Sequence, residues 1–391
     1  MPVKVLIVDD SGFFRQRITD ILSSDSRLEV IGVASNGREA VEQARKLKPD
    51  IITMDVEMPQ LNGIEAVKLI MRDSPTNVLM LSSLTHEGAQ VTLQALEAGA
   101  ADYLTKDIRA WIDKSDSLHN IFVERVVALG RNKRFIRSTA FAPRPLKSGQ
   151  SSTVHTFSSD KGGAEPSSPS RSNQNSLTSR SQRTDPGLSS SLRNARQAHF
   201  PAHCRLVVIG SSTGGPAALQ KILMELPASF PYPILLIQHM PKAFTSVFAA
   251  RLDQQCKISV KEAEDGDKLL PGRALLAPGG HQLIIESRSP DRVKILPGDE
   301  RVTYRPSVDI TYASVAKAFG NKVLGIILTG MGADGADGAK LLKKSGAVMW
   351  AQNEESCTIY GMPQAVVKAG LADDILHLND IGPLLKNNGK I

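Results

Sequence analysis

Short apolar runs alternate with stretches of helical period in two separate parts of the chain. In the first part, Val3–Val8, Leu28–Ala34, Ile51–Met54, Val78–Leu81 and Asp102–Leu104 read as strands. Helical patterns lie between them, from about Ser11 to Ser23 and over Arg38–Leu47 with Asn36 near its start. A last amphipathic stretch runs from about Leu118 to Arg131. Brief β-branched runs are the mark of buried strands, and their regular alternation with helices calls for a doubly wound parallel sheet.

The second part alternates as well. Its strand-like runs are Arg205–Ile209, Pro233–Gln238, Ile258–Val260, Arg273–Ala277, Leu283–Glu286, Val293–Leu296, Val323–Leu328 and Val348–Ala351. Helices are predicted over Ala217–Leu226, Phe244–Gln255, Val308–Phe319, Ala336–Lys344 and Pro363–Ala369. No helical stretch separates the short strands between Ile258 and Leu296. That region is expected to form an antiparallel annex on a mainly parallel sheet.

Between the two parts the pattern vanishes. Residues 148–192 hold 15 serines in 45 positions. Such a composition cannot bury enough apolar surface to offset chain entropy, so a disordered tether is expected there. The predicted division is 1–137, a linker over 138–202, and 203–391. Charge follows the same division. Residues 1–130 carry 14 Lys+Arg and 19 Asp+Glu, residues 131–200 carry 12 and 3, and residues 201–391 carry 21 and 18. The net +7 therefore belongs to the linker, which argues against a nucleic-acid-binding output domain. No apolar run approaches the roughly 20 residues that a membrane helix needs. Three cysteines, Cys204, Cys256 and Cys357, form no CxxC pair. A cytoplasmic location without direct membrane insertion is expected.

Candidate chemistry gathers at strand ends, where open α/β sheets carry their sites. In the first part these ends present Asp9 and Asp10, Asp55, Ser82 and, just past Tyr103, Lys106. Clustered carboxylates repel unless a hard cation such as Mg²⁺ offsets them, and a lysine with a hydroxyl suits a phosphoryl group. In the second part, the strand Leu206-Val207-Val208-Ile209 runs into Gly210-Ser211-Ser212-Thr213-Gly214-Gly215-Pro216. This is a small-residue elbow of Gly-x-Ser-x-Gly spacing, with proline in the first helical turn. Ser212 is a candidate nucleophile, and His239 at the next strand end is a candidate base. Asp334 and Asp337 both follow a further strand. Asp337 already lies in a first helical turn, where an acid complements the helix dipole, so Asp334 is the better partner for the imidazole.

A rival reading takes Gly330-Met331-Gly332-Ala333-Asp334-Gly335 as a G-x-G-x-x-G turn, with Glu354 and Glu355 about 20 residues on, and makes the second part a dinucleotide-dependent oxidoreductase. It leaves Ser212 and His239 without a role and sets an acid where a pyrophosphate would lie. A DNA-binding response regulator is the other alternative. It needs a helix-turn-helix with a basic recognition helix.

Leu6-Ile7-Val8-Asp9-Asp10-Ser11, Asp55-Val56-Glu57-Met58-Pro59 with Gly63, Ser82 and Tyr103-Leu104-Thr105-Lys106 resemble the motifs of a response-regulator receiver domain, a flavodoxin-like (βα)5 fold. The resemblance implies that Asp55 accepts a phosphoryl group from a chemotaxis histidine kinase. It implies that Asp10, Asp55 and the backbone carbonyl of Glu57 hold Mg²⁺. Ser82 and Lys106 would contact the phosphoryl oxygens, and Tyr103 would report the switch.

The elbow, Gln238-His239-Met240-Pro241, Ala277-Pro278-Gly279-Gly280-His281 and Thr329-Gly330-Met331-Gly332-Ala333-Asp334-Gly335 resemble the catalytic domain of the chemotaxis protein-glutamate methylesterases, the CheB family. That resemblance implies Ser212 as nucleophile, His239 as base, Asp334 as orienting acid, and the Met331 N–H as an oxyanion donor. His281 would face substrate or serve the fold. It further implies hydrolysis of glutamate methyl esters, and deamidation of glutamine, on the cytoplasmic domains of chemoreceptors. Phosphorylation would control the reaction, and the hydrolysis itself would need no cofactor.

Overall fold

The computed structural model describes residues 1–106, 111, 116–132, 197–299 and 301–390. The serine-rich interval expected to be disordered lies outside the described residues.

The first sheet contains β1 (Val3–Val8), β2 (Leu28–Ala34), β3 (Ile51–Asp55), β4 (Asn77–Ser82) and β5 (Asp102–Thr105). Its order is β2-β1-β3-β4-β5, with every pair parallel. Strands β3 and β4 are buried at every position, which is why their sequences read as continuous runs rather than alternating ones. Helices α1 (Gly12–Ser23), α2 (Gly37–Leu47), α3 (Gly63–Asp73), α4 (His86–Glu97) and α5 (Asp116–Arg131) complete the first half. The first four begin where Ser11, Asn36, Asn62 and Thr85 accept a hydrogen bond from a first-turn N–H. Each such cap satisfies a donor that the helix itself cannot, worth about 1 kcal/mol.

The second sheet has seven strands, all paired in parallel. They are β6 (Leu206–Ser211), β7 (Ile234–Gln238), β8 (Ser259–Glu262), β9 (Arg273–Leu276), β12 (Val323–Ile327), β13 (Val348–Gln352) and β14 (Asp374–Leu376), in the order β14-β13-β12-β6-β7-β9-β8. Helices α6 (Gly215–Met224), α7 (Lys242–Gln255), α8 (Val308–Phe319), α9 (Ala336–Lys344), α10 (Met362–Lys368) and α11 (Leu378–Lys386) accompany them. The bounds of α8 and α9 are those read from the sequence.

The antiparallel annex is real but smaller than expected. It is the ribbon of β10 (His281–Ile285) and β11 (Val293–Pro297). Strands β8 and β9 join the main sheet in parallel, because Val260 and Ala274 are buried in the core beneath α7 and the connection crosses over without a helix. The sequence reading omits β14 and α11. One is only three residues long and the other contains Pro383. Residues just ahead of His203 also pair with the second half. Gln197 bridges to Lys390, and the Trp350 indole donates to the carbonyl of His199 at 2.7 Å.

The described parts of both halves belong to one compact body. Helix α4 packs on α7, and Tyr103 of β5 stacks on Phe244 with ring centroids 4.7 Å apart. Glu97 on α4 accepts from Arg251 Nε (2.7 Å), Gln255 (2.9 Å) and Gln220 (3.2 Å). Burial pushes the Glu97 carboxyl up, but these donors hold it below the usual glutamate range. Asn132 at the end of α5 donates to the carbonyls of Thr358 (2.6 Å) and Cys357 (3.2 Å). The two halves thus have a defined docking, where the sequence alone predicts a tether that leaves orientation open.

Candidate active site

In the second sheet the order β12-β6-β7 sets three strand ends side by side, at the point where chain order reverses about β6. Ser212 follows β6, His239 follows β7, and Asp334 lies in the loop after β12.

The elbow is held from both sides. Ser212 N–H donates to the Thr329 carbonyl (3.0 Å), and the Thr329 hydroxyl donates to the Thr213 carbonyl (2.9 Å). Gln238, fully buried at the end of β7, accepts from the Ser211 hydroxyl (2.7 Å) and donates to the Ser212 carbonyl (3.0 Å). Gly214 has φ +75°, and a Cβ there would meet the Thr358 side chain at 2.2 Å. Gly330 packs so closely on Ser212 that a Cβ would lie 2.8 Å from the serine Cβ. Glycine is needed at both positions, at one for its conformation and at the other for close approach.

His239 Nε2 and Asp334 Oδ2 are 2.7 Å apart, and both side chains are nearly buried. The carboxylate is also the anchor of α8. Its Oδ2 accepts from Val308 N–H (2.7 Å), and its Oδ1 accepts from the Ser307 hydroxyl (2.9 Å) and Asp309 N–H (3.1 Å). Burial alone would raise the Asp334 pKa. His239 and the α8 amides outweigh it and hold the group at about 2. Asp334 is therefore ionised, which fixes Nε2 as the protonated nitrogen. The remaining nitrogen, Nδ1, is buried and has no hydrogen-bond partner among the described residues. It is the only ring atom left to accept a proton. The nitrogen roles are thus reversed relative to the serine-protease arrangement, in which Nδ1 faces the acid.

The structure brings His239 and Asp334 into direct contact and sets Ser212 at the neighbouring strand end. No hydrogen bond joins the Ser212 hydroxyl to His239 here; such contacts often tighten only with substrate. The Met331 N–H makes no hydrogen bond to another described residue and is free to donate. Asp337 is exposed in the first turn of α9. His281 opens β10, with Nδ1 3.1 Å from the Gly279 carbonyl. Sequence reasoning missed Gln238 and Ser307. The serine three residues before the first turn's Ile310 was the readable sign of the α8 cap.

The first sheet assembles its own cluster. Carboxylate oxygens of Asp9, Asp10 and Asp55 lie within 4.8 Å of one another. Lys106 Nζ is 2.6 Å from Asp9 and 2.7 Å from Asp55. Burial raises the Asp55 pKa to about 6, opposed by Lys106 and reinforced by Asp9 and Asp10. Three carboxylates at the switch point between β1 and β3, one of them solvent-exposed, form an oxygen donor set that suits Mg²⁺. Asp9 belongs to this set as much as Asp10. Glu57 follows β3 with an exposed side chain. The Ser82 hydroxyl is turned toward the Gly88 and Ser83 carbonyls, at 3.2 and 3.3 Å.

The two sites meet through β5. Asp102 is buried, with Arg125 Nη1 at 3.1 Å, and its carboxylate approaches the Thr213–Gly214 turn of the elbow. Burial raises the pKa of this group.

Residues 207–385 match the CheB methylesterase family, and residues 5–111 match the response regulator receiver domain. The chain is 53% identical, over 98% of both lengths, to a protein-glutamate methylesterase/protein-glutamine glutaminase of Pseudomonas savastanoi. This chain belongs to the CheB family. A Pseudomonas aeruginosa relative of the same description is also 53% identical over 98% of both chains, and one from Vibrio cholerae is 50% identical over 97%. Neither the oxidoreductase nor the DNA-binding alternative fits this membership. The Gly330–Gly335 loop is the turn that carries Asp334 to His239. Among the described residues no helix is long and apolar enough to cross a membrane.

Proposed function

We propose that this CheB-family chain hydrolyses glutamate γ-methyl esters on chemoreceptor cytoplasmic segments and deamidates receptor glutamines. The observation that carries this reading is the buried His239–Asp334 pair, with one ring nitrogen unpartnered among the described residues, at the strand end next to the serine elbow. Ser212 Oγ attacks the ester carbonyl as its proton passes to His239 Nδ1. The tetrahedral oxyanion takes a hydrogen bond from the Met331 N–H. The C–O bond to methoxide breaks, and the imidazolium returns the proton, so methanol leaves. Water, deprotonated by Nδ1, then opens the glutamyl-serine to glutamate. With glutamine the leaving group is ammonia and the steps are the same.

The reading divides the chain into a receiver over 1–137, a linker over 138–202 and a catalytic part over 203–391. Asp55 is the phosphoacceptor, Ser82 and Lys106 meet the phosphoryl oxygens, and Asp10, Asp55 and the Glu57 carbonyl hold Mg²⁺. Bound Mg²⁺ would offset the charge gathered there and orient the phosphoryl oxygens. Strand β5 reaches the catalytic half beside the elbow, with Asp102 near Gly214 and Tyr103 against Phe244. Phosphorylation would shift the docking and open the catalytic face, a two-state change at an interface. The partners are a chemotaxis histidine kinase and methylated receptors, met in the cytoplasm.

The test is release of labelled methanol from methylated receptor membranes, with and without a small phosphodonor. Ser212→Ala should leave about 1% of parental activity or less, and the phosphodonor should stimulate the parent but not Asp55→Asn. Activity of Ser212→Ala near the parental level would overturn the nucleophile.

A further inference from the structure

Among the described residues the His239 imidazole has a single hydrogen bond, at Nε2. One anchor point lets a ring pivot, so something else must aim Nδ1 at the elbow. The Tyr304 ring lies flat on the imidazole, with centroids 4.1 Å apart and planes 6° from parallel. We propose that Tyr304 is the positioning residue of the base: its ring covers one face of His239 and fixes the plane in which Nδ1 meets the Ser212 proton.

Tyr304 is itself held by the annex. Gln282 of β10 is buried and donates to the Tyr304 carbonyl at 2.8 Å. Its other end accepts from Ser307 N–H at 2.8 Å. Ser307 in turn donates to Asp334, so one buried amide ties the covering ring to the acid on the base's far side. The Tyr304 hydroxyl also reaches the loop of the oxyanion donor, where a Cβ on Gly332 would lie 3.1 Å from it. Burial and the Asp334 charge keep the phenol protonated. This gives the antiparallel ribbon a purpose, since it carries no residue of the proposed relay. The π face has a second effect: it favours the imidazolium formed when Ser212 loses its proton.

The inference rests on the catalytic reading above. Its test compares Tyr304→Phe, Tyr304→Leu and Ser212→Ala in the full chain with phosphodonor present. Tyr304→Phe keeps the flat face and should stay within about threefold of the parental kcat. Tyr304→Leu keeps bulk without a flat face and should lose about tenfold or more in kcat with KM nearly unchanged, since small misplacement of a reacting group costs rate rather than binding. Thermal unfolding and phosphodonor labelling of Asp55 report that the variants are folded. Parental kcat in Tyr304→Leu would overturn the inference. So would equal losses in Phe and Leu, which would assign the effect to the hydroxyl. An active Ser212→Ala would instead overturn the catalytic reading itself.

Discussion

Asp334→Asn should separate the two tasks that this carboxylate performs. As an anion it is held near pKa 2 against the ordinary 3.8, which favours the folded state by roughly 2 kcal/mol. The folded pKa is depressed, so this contribution is complete above about pH 4 and fades as pH falls through 2. Asparagine removes it at every pH. It also offers one acceptor oxygen where four donors now converge: His239 Nε2 and Val308 N–H at Oδ2, Ser307 Oγ and Asp309 N–H at Oδ1. If the amide nitrogen takes the Oδ1 position, the Ser307 hydroxyl can turn to accept, and the Asp309 N–H is stranded. One stranded buried donor costs about 1–3 kcal/mol. The total loss at pH 7 should be about 3–5 kcal/mol, read as a lower urea midpoint at unchanged slope. The rate should suffer more, because the imidazolium loses its counter-charge. A fall on the order of 10³–10⁴ in kcat for methanol release is expected, with KM nearly constant. A variant as stable as the parent at pH 7, or one within tenfold of its kcat, would refute the reasoning.

Asp55→Asn should stabilise the metal-free protein by about 1–3 kcal/mol at pH 7. The raised pKa of Asp55, about 6, means that stability falls as pH rises from about 4 through 6, and the amide removes that cost; urea melts at pH 4.5 and 7 should differ less for the variant than for the parent, the remainder coming from Asp309, whose pKa burial also raises to about 6. Arg251→Ala removes a partner of Glu97 in the docking of α4 on α7. This partly exposed pair is worth about 1 kcal/mol, so basal methanol release without phosphodonor should rise about fivefold. Gln238→Ala strands the Ser211 hydroxyl and loosens the Ser212 carbonyl. It should cost about 2–3 kcal/mol in unfolding and lower kcat well beyond what the stability change explains.

The local reading of the chain succeeded at many short-range signals and passed over others, such as the Ser307 cap. Apolar runs named the central strands, and Asn36 and Pro216 marked helix starts. Gly-x-Ser-x-Gly at a strand end marked Ser212 as an elbow serine, and the strand-end rule marked Asp9, Asp10 and Asp55. Such features depend on a few neighbouring residues and on backbone preferences that the sequence carries directly. Even the choice of Asp334 over Asp337 needed only the position of one helix start.

Other facts required the folded chain. No motif reveals that Asp334 anchors α8, or that Nδ1 rather than Nε2 of His239 is the free nitrogen. Nor does local pattern bring Gln282 of the ribbon, and Tyr304 and Ser307 of the stretch before α8, to the relay. Strands β8 and β9 run parallel because of what their buried residues pack against. The docking of Tyr103 on Phe244 and of Glu97 on Arg251 joins residues well over a hundred positions apart. These outcomes are set by long-range packing and by the need to satisfy every buried donor and acceptor. The sequence by itself determined most of the elements and which residues could do chemistry. The tertiary structure decided which nitrogen faces which oxygen, and that the receiver's β5 reaches the catalytic half beside the elbow.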